Sequence, residues 1–228
     1  MENLCKNYVI AIDGEAGTGK STLAKSIAKK YKIVYMDTGA MYRSVTLAML
    51  KRNIKVDEID KISNLLEQIK IEFKKIENDQ KVFLNGKDVS LEIRTKQVNE
   101  NVSPVSAIGI VRTKMADLQR EMAKTIDVIM EGRDIGTNVF PNADVKIYLD
   151  ATPEERAKRR YLQNKENGIE IPFEEILENV KQRDYIDSTR EIAPLKKAED
   201  AIYIDSSNMS IDEVVNEIKQ IIIKKRTE

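Results

Sequence analysis

Apolar residues gather in five short runs along the chain: Tyr8–Ile12, Ile33–Met36, Val128–Met130, Val145–Leu149 and Ala201–Ile204. Each is followed by a polar or glycine-containing junction, and then by a helical spacing of apolar positions. Short, near-continuous Val/Ile runs mark strands covered on both faces, and intervening helices imply parallel crossovers. The pattern predicts an α/β fold, a five-stranded parallel sheet flanked by helices. Between the second and third runs the rhythm changes. Ile69–Lys74 and Lys81–Leu84 alternate, turn residues lie between them at Glu77–Gln80, and Asn85-Gly86 is a tight-turn dipeptide. With a third short strand at Lys87–Ser90, this stretch reads as a small antiparallel insert. Glu154–Asn164 and Phe173–Asp187 read as two charged helices joined at Gly168. Ile211–Ile223 reads as an amphipathic closing helix, with Lys224-Lys225-Arg226 suited to a helix C-terminus.

Composition narrows the chemistry. The 228 residues carry 41% hydrophobic side chains, enough for a buried core. Lys plus Arg is 38 and Asp plus Glu is 38, a balance that argues against nucleic acid or an acidic membrane as the main partner. With no histidine and one cysteine, Cys5, there is no material for an internal disulfide, a His/Cys zinc site or a histidine general base. Cys5 reads as a bystander. The start of the chain does not read as a signal peptide and no apolar run approaches a membrane span, so a cytoplasmic protein is expected.

Gly14-Glu15-Ala16-Gly17-Thr18-Gly19-Lys20-Ser21 fits G-x-x-x-x-G-K-S/T. An apolar run precedes it and a helical pattern from Thr22 follows, the strand–loop–helix setting the motif requires. Glycines let backbone N–H groups turn inward around phosphates, and the helix N-terminus adds positive potential. Lys20 places a cation near the β/γ-phosphates of ATP, and the Ser21 hydroxyl is the expected Mg²⁺ ligand. The loop implies a nucleoside triphosphate without saying what is done with it. Asn164-Lys165-Glu166-Asn167 ends in an amide and lies in a charged helix, so it does not read as the guanine-reading element of a GTPase. Instead, arginines recur near predicted sheet ends: Arg43, Arg133, Arg183 and Arg190. Guanidinium forks hold phosphate in a bidentate way, and several would position an anionic acceptor.

Several segments together are more specific than the loop. Asp37–Arg43, Glu131–Thr137 and Arg183–Arg190 resemble the matching segments of the bacterial cytidylate kinases, as do Gly86–Thr95, Phe140–Ala143 and Asp150–Arg160. The resemblance runs in order from about Tyr8 to Ile222. Glu15 departs from it, standing where such loops often carry proline. It implies a single P-loop kinase domain over 1–228, with a monophosphate-binding insert at about 63–92 and a lid at about 152–187. The resemblance implies phosphorylation of CMP and dCMP by ATP with Mg²⁺; a monomer is expected. Lys20, Arg133 and Arg190 would act in the transfer. Residues Gly14 to Thr22, with Arg156, Arg159 and Arg160 of the lid, would hold ATP. Arg43, Arg133 and Arg183 would grip the acceptor phosphate, and Ser103, Arg112 and Asp134 would read cytosine. Arg183 and Asp187 would meet the sugar, with Thr38 and Arg190 also at the acceptor.

Plainer readings stand beside these. Thr38 suits a helix cap, and Asp37 either a turn acid or a holder of metal-bound water. Asp134 could pair with Arg133, and Asp187 could be solvated at a helix end. Arg112, with Asp117 and Arg120, could form a solvated helix face. Glu154–Lys158 and Glu155–Arg159 are i,i+4 pairs that support an exposed helix. Tyr31, Tyr35 and Tyr42 read as packing residues. Among functions, a P-loop kinase for UMP, shikimate or another alcohol competes, as does a nucleotide-binding regulator without turnover. A nucleic-acid module is disfavoured by neutral charge and 5% aromatics.

Overall fold

The computed structural model describes residues 7–76, 79–166 and 168–227, with side chains through Lys225. Cys5, the Glu77-Asn78 part of the expected turn, Asn167 and the Arg226 side chain lie outside the described residues. In chain order the strands are β1 (Val9–Asp13), β2 (Val34–Asp37), β3 (Ile71–Ile76), β4 (Asp79–Leu84), β5 (Lys87–Asp88), β6 (Val128–Gly132), β7 (Val145–Asp150) and β8 (Ile202–Asp205). The helices are α1 (Lys20–Tyr31), α2 (Thr38–Lys51), α3 (Ile59–Gln68), α4 (Lys96–Ala107), α5 (Gly109–Met122), α6 (Pro153–Glu166), α7 (Phe173–Thr189) and α8 (Ile211–Thr227). Two compact units result: Met1–Met36 with Arg120–Glu228, and Asp37–Gln119.

The first unit is built on a five-stranded parallel sheet in the order β2-β6-β1-β7-β8. This is the doubly wound sheet that the five apolar runs predict. β1 lies at its centre, with Asp13 level with Gly132 on one side and Tyr148 on the other. Central position explains its composition: every residue of Val9–Asp13 is buried, so only Val, Ile and Ala precede the acid. α1 packs Leu23, Ala24, Ile27 and Ala28 against the sheet, one face of a 3.6-residue repeat. Val214, Val215, Ile218 and Ile222 of α8 join the same core with Ile10, Ile12, Ile129 and Ile147. α1 stops where Lys32 turns left-handed, and Lys29 and Lys30 complement the dipole of its last turn. After β6 the chain makes one π-helical turn, Ile135–Val139, which nothing in the sequence pattern announces.

The second unit carries α2, α3, a 3₁₀ turn at Glu92–Arg94, α4, most of α5 and an antiparallel sheet ordered β3-β4-β5. Ile71 opposes Leu84 and Ile76 opposes Asp79, so Asp79 and Gln80, expected in the turn, belong to β4. Asn85 and Gly86 both have positive φ, the left-handed backbone that a two-residue hairpin turn requires. Asp37, not Thr38, caps α2: its Oδ1 accepts the Ala40 N–H at 2.9 Å, and Thr38 is the first helical residue. Ser44 and Thr46 within buried α2 donate back to the carbonyls of Ala40 and Tyr42. No helix among the described residues is long and apolar enough to cross a membrane.

Candidate active site

The phosphate loop leaves the C-terminal edge of β1, where parallel sheets place their ligands. Gly14 has φ +146, and a Cβ there would stand 2.0 Å from the Leu149 carbonyl oxygen. Gly19 has φ +95 but open space around its missing side chain. The two glycines serve different needs, close approach at Gly14 and backbone conformation at Gly19. Gly14→Ala is therefore expected to cost about 2–4 kcal/mol of unfolding free energy, and Gly19→Ala only about 1 kcal/mol. Denaturant titration of both variants checks this, and equal losses would contradict it.

Lys20 is buried beneath the loop, donating to the Glu15 carbonyl and, at 3.2 Å, to the Thr18 hydroxyl. The Thr18 hydroxyl in turn donates to the Glu15 carbonyl at 3.1 Å. Burial, then the charge of Arg133, pull the Lys20 pKa down to about 7 against Glu131, Glu15 and Asp13. Ser21 and Thr22 are exposed on the first turn of α1. The Glu15 side chain folds back onto β7, where its carboxylate accepts the Tyr148 hydroxyl at 2.8 Å, and burial raises its pKa.

The loop is braced from α6 and from the end of β8. Arg156, buried, donates to the carbonyls of Ala151 at 2.8 Å and Ala16 at 3.3 Å, and makes a two-pronged pair with Asp184 at 2.7 and 3.0 Å. Arg159 donates to the Thr18 carbonyl at 3.3 Å and to the Ser206 carbonyl at 2.7 Å, with Glu155 as its i,i+4 partner at 3.3 Å. The Ser206 hydroxyl also reaches the Thr18 and Asp150 carbonyls, at 3.2 and 2.9 Å. Arg156 and Arg159 are thus more than an exposed-helix pattern. Arg160 is half-buried, and burial lowers its pKa. Glu154 lies 3.9 Å from Lys181 of α7.

Beyond β6 a charged cluster forms. Arg133 Nε donates to Asp187 Oδ2 at 2.9 Å, so its carboxylate partner is Asp187. Asp134 pairs with Arg190 at 3.5 Å and accepts from Asn138 at 2.9 Å. Arg190, buried, also donates to the Ala193 carbonyl at 2.9 Å and to Asp187 Oδ1 at 3.5 Å. Asp187 is 3% exposed, so it is a buried hub and not a solvated helix end. Burial pushes its pKa up, but Arg133, Arg183 and Arg190 hold it below the usual carboxylate range. Arg183 is half-buried on α7. These side chains present fixed positive charge in a low-dielectric setting, the requirement for binding and transferring phosphate.

The second unit holds four further side chains singled out from sequence. Thr38 is buried at the start of α2. Arg43 donates to Asp37 Oδ2 at 2.8 Å, with Arg94 at 3.9 Å from the same oxygen. Burial opposes the Asp37 charge, yet Arg43 and the Ala40 N–H keep its pKa low. Asp37 is therefore a cap and arginine partner before it is anything else. Ser103 is buried on α4, and its carbonyl accepts the Ser106 hydroxyl at 2.9 Å. Arg112 is 2% exposed, donates to the Ser106 carbonyl at 3.0 Å and lies over the Tyr42 ring at 5.5 Å. A solvated helix face is ruled out for it, and Tyr42 has a cation–π role beyond packing. In the first unit, Tyr35 donates to the buried Glu131.

Four residues stand out to which the sequence assigned no role: Asp184 and Tyr148 as partners of Arg156 and Glu15, Ser206 as a brace, and Asp13. Only Asp13 carried a signal, as an acid ending a strand.

A doubly wound parallel sheet, a glycine loop with a buried lysine at its central strand, and clustered arginines beside it define a P-loop phosphotransferase. The sequence model described as cytidylate kinase matches residues 10–224. A cytidylate kinase of Fusobacterium nucleatum is 50% identical over 218 residues, 96% of this chain and 98% of its own length. One of Lactobacillus johnsonii is 52% identical over 222 residues, 96% of each chain. An uncharacterized protein from Eubacterium ventriosum shares the fold at 14% identity, with a TM-score of 0.50 over 95% of this chain and 98% of its own. The chain belongs to the cytidylate kinase family.

Proposed function

We propose that the protein transfers the γ-phosphoryl group of ATP to CMP, and to dCMP, with Mg²⁺. The observation that carries the reading is the buried Lys20 beneath a loop of the P-loop class, in the same unit as the Arg133–Asp187–Arg190–Asp134 cluster. Backbone N–H groups of Gly14 to Thr22 hold the triphosphate, and Lys20 meets the charge that develops on the transferred group. Arg133, Arg183 and Arg43 bind the acceptor phosphate, Arg183 and Asp187 meet the sugar, and Arg190 neutralises charge near the transferred phosphoryl. Ser103, Arg112 and Asp134 are assigned to the base, Thr38 to the acceptor side, and Arg156, Arg159 and Arg160 to ATP.

The donor set suits Mg²⁺. Among the described residues no group of three or more His, Cys, Asp or Glu is assembled to cage a metal. A hard cation of this size characteristically takes most of its oxygens from substrate phosphate and water, leaving one hydroxyl, Ser21, for the protein to supply. Ser21 would hold Mg²⁺, which would supply neutralisation of the triphosphate charge there.

The reading includes a single kinase domain with its insert at about 63–92 and a lid at about 152–187. It is also a cytoplasmic monomer with no nucleic-acid or membrane partner, in keeping with balanced charge. Initial rates with ATP against CMP, dCMP, UMP and AMP test the acceptor. The highest kcat/KM is expected for CMP, and UMP turned over as well as CMP would overturn the assignment. For the lid, amide exchange across Thr152–Tyr185 should slow when an ATP analogue and CMP bind together, because closure excludes water from the reaction. Unchanged exchange at saturation would count against a closing lid.

A further inference from the structure

Asp13 is the last residue of β1 and directly precedes the phosphate loop, yet its side chain serves a different segment. It is 5% exposed, and its Oδ1 and Oδ2 accept the N–H groups of Ile135 and Gly136 at 2.8 and 2.7 Å. Those amides open the π-helical turn Ile135–Val139, immediately after Arg133 and Asp134. The other end of the turn is held too: Arg120 donates to the carbonyls of Asn138 at 2.8 Å and Val139 at 3.1 Å. An anion at the amide end and a cation at the carbonyl end match the polarity of the turn. There is no slack at Asp13, because a Cβ on Gly136 would lie 3.3 Å from its Oδ2.

We infer that Asp13 is a positioning residue, whose carboxylate fixes the Arg133-Asp134 segment in register with the start of the phosphate loop and thereby sets affinity for the acceptor. The inference rests on the acceptor roles proposed for Arg133 and Asp134. Two charged hydrogen bonds to consecutive amides define the direction of a backbone far better than packing alone. The same two amides explain how a carboxylate buried this deeply can ionise. Burial raises its pKa, with Asp134 adding to the rise, while the Gly136 and Ile135 amides and Lys20 oppose it, leaving a value of about 6. Tyr148 of β7 also feels its charge.

Asp13→Asn replaces one acceptor oxygen by an NH₂ that faces an amide donor, so one of the two bonds is lost with little change of volume. The experiment pairs kinetics with NMR of the full chain. In the wild type, the Ile135 and Gly136 amide protons should shift together as pH falls through about 6, and in Asp13→Asn this titration should be absent. KM for CMP should rise about tenfold in the variant, with KM for ATP changed less than about twofold. Amide shifts that stay flat in the wild type, an unchanged KM for CMP, or equal rises in both KM values would overturn the inference. Arg133→Met and Asp134→Ala, measured beside it, separate two failures. If they lose CMP affinity and Asp13→Asn does not, the positioning role alone falls. If they too bind CMP normally, the acceptor reading itself is wrong.

Discussion

Replacing Lys20 by methionine is expected to leave a folded protein whose kcat is about 10²–10³-fold lower, the usual loss when one preorganised charge is removed from a transferring group. Methionine keeps most of the volume, so no large cavity opens beneath the loop. Stability is expected to move the other way. The unfolded lysine keeps its proton up to 10.5, whereas the buried one gives it up near 7. Between those values the unfolded chain binds more protons, so stability from this group rises with pH across the interval. Below pH 7 both forms are charged and the native state bears the full penalty of an interior cation. Lys20→Met removes both the slope and the penalty, so its unfolding free energy at pH 6 should equal or exceed that of the wild type. Chemical unfolding at pH 6 and pH 9, beside steady-state rates, reads both effects. Near-normal turnover in the folded variant would remove Lys20 from the reaction.

Arg112→Met and Asp134→Ala are each expected to narrow the preference for CMP over UMP more than Arg43→Met does. Cytosine offers a 4-amino donor and an N3 acceptor, and uracil reverses both. A carboxylate can only accept and a guanidinium can only donate, so each suits one cytosine group and faces its own kind on uracil. Buried polar groups left unpaired cost about 1–3 kcal/mol each, so a wild-type preference of about a hundredfold or more in kcat/KM follows. Arg43 is assigned to a phosphate that both acceptors share, so its loss should lower both rates and leave their ratio alone. Comparison of kcat/KM for the two acceptors in the three variants is sufficient. Equal losses on both acceptors in all three would show that Arg112 and Asp134 do not read the base.

Much of this architecture was legible as periodicity. The apolar runs became β1, β2, β6, β7 and β8 because strands flanked by helices bury mostly apolar side chains, and Asn85-Gly86 marked its hairpin through backbone conformation. The loop was legible because its glycines and lysine are contiguous. What stayed hidden depends on residues far apart in sequence. Only the cap was a local matter: Asp37 and Thr38 are adjacent cap-forming types, and backbone geometry gives the role to Asp37. Arg133 looked like a partner for its neighbour Asp134, but consecutive side chains diverge, and each found a carboxylate or guanidinium on the α7 side of the unit. A π-helical turn has no compositional signature, so the segment that Asp13 holds had none either.

The order of the strands bears on how the chain comes to fold during synthesis. β1 and the phosphate loop are made before both sheet neighbours of β1, which lie at Val128–Gly132 and Val145–Asp150. The loop's own supports are later still: Leu149 beside Gly14, Arg159 on the Thr18 carbonyl, and Ser206, which is 188 residues from Thr18. A nascent chain that has emerged only as far as Gln119 holds β1 with neither neighbour. Asp37–Gln119, by contrast, is contiguous, and its hairpin and helices draw on nearby partners. Local contacts form quickly and distant pairings wait on loop closure. The phosphate loop is thus made well before its supports and takes shape only with them, so a ligand of the loop can act on folding only once those later segments exist.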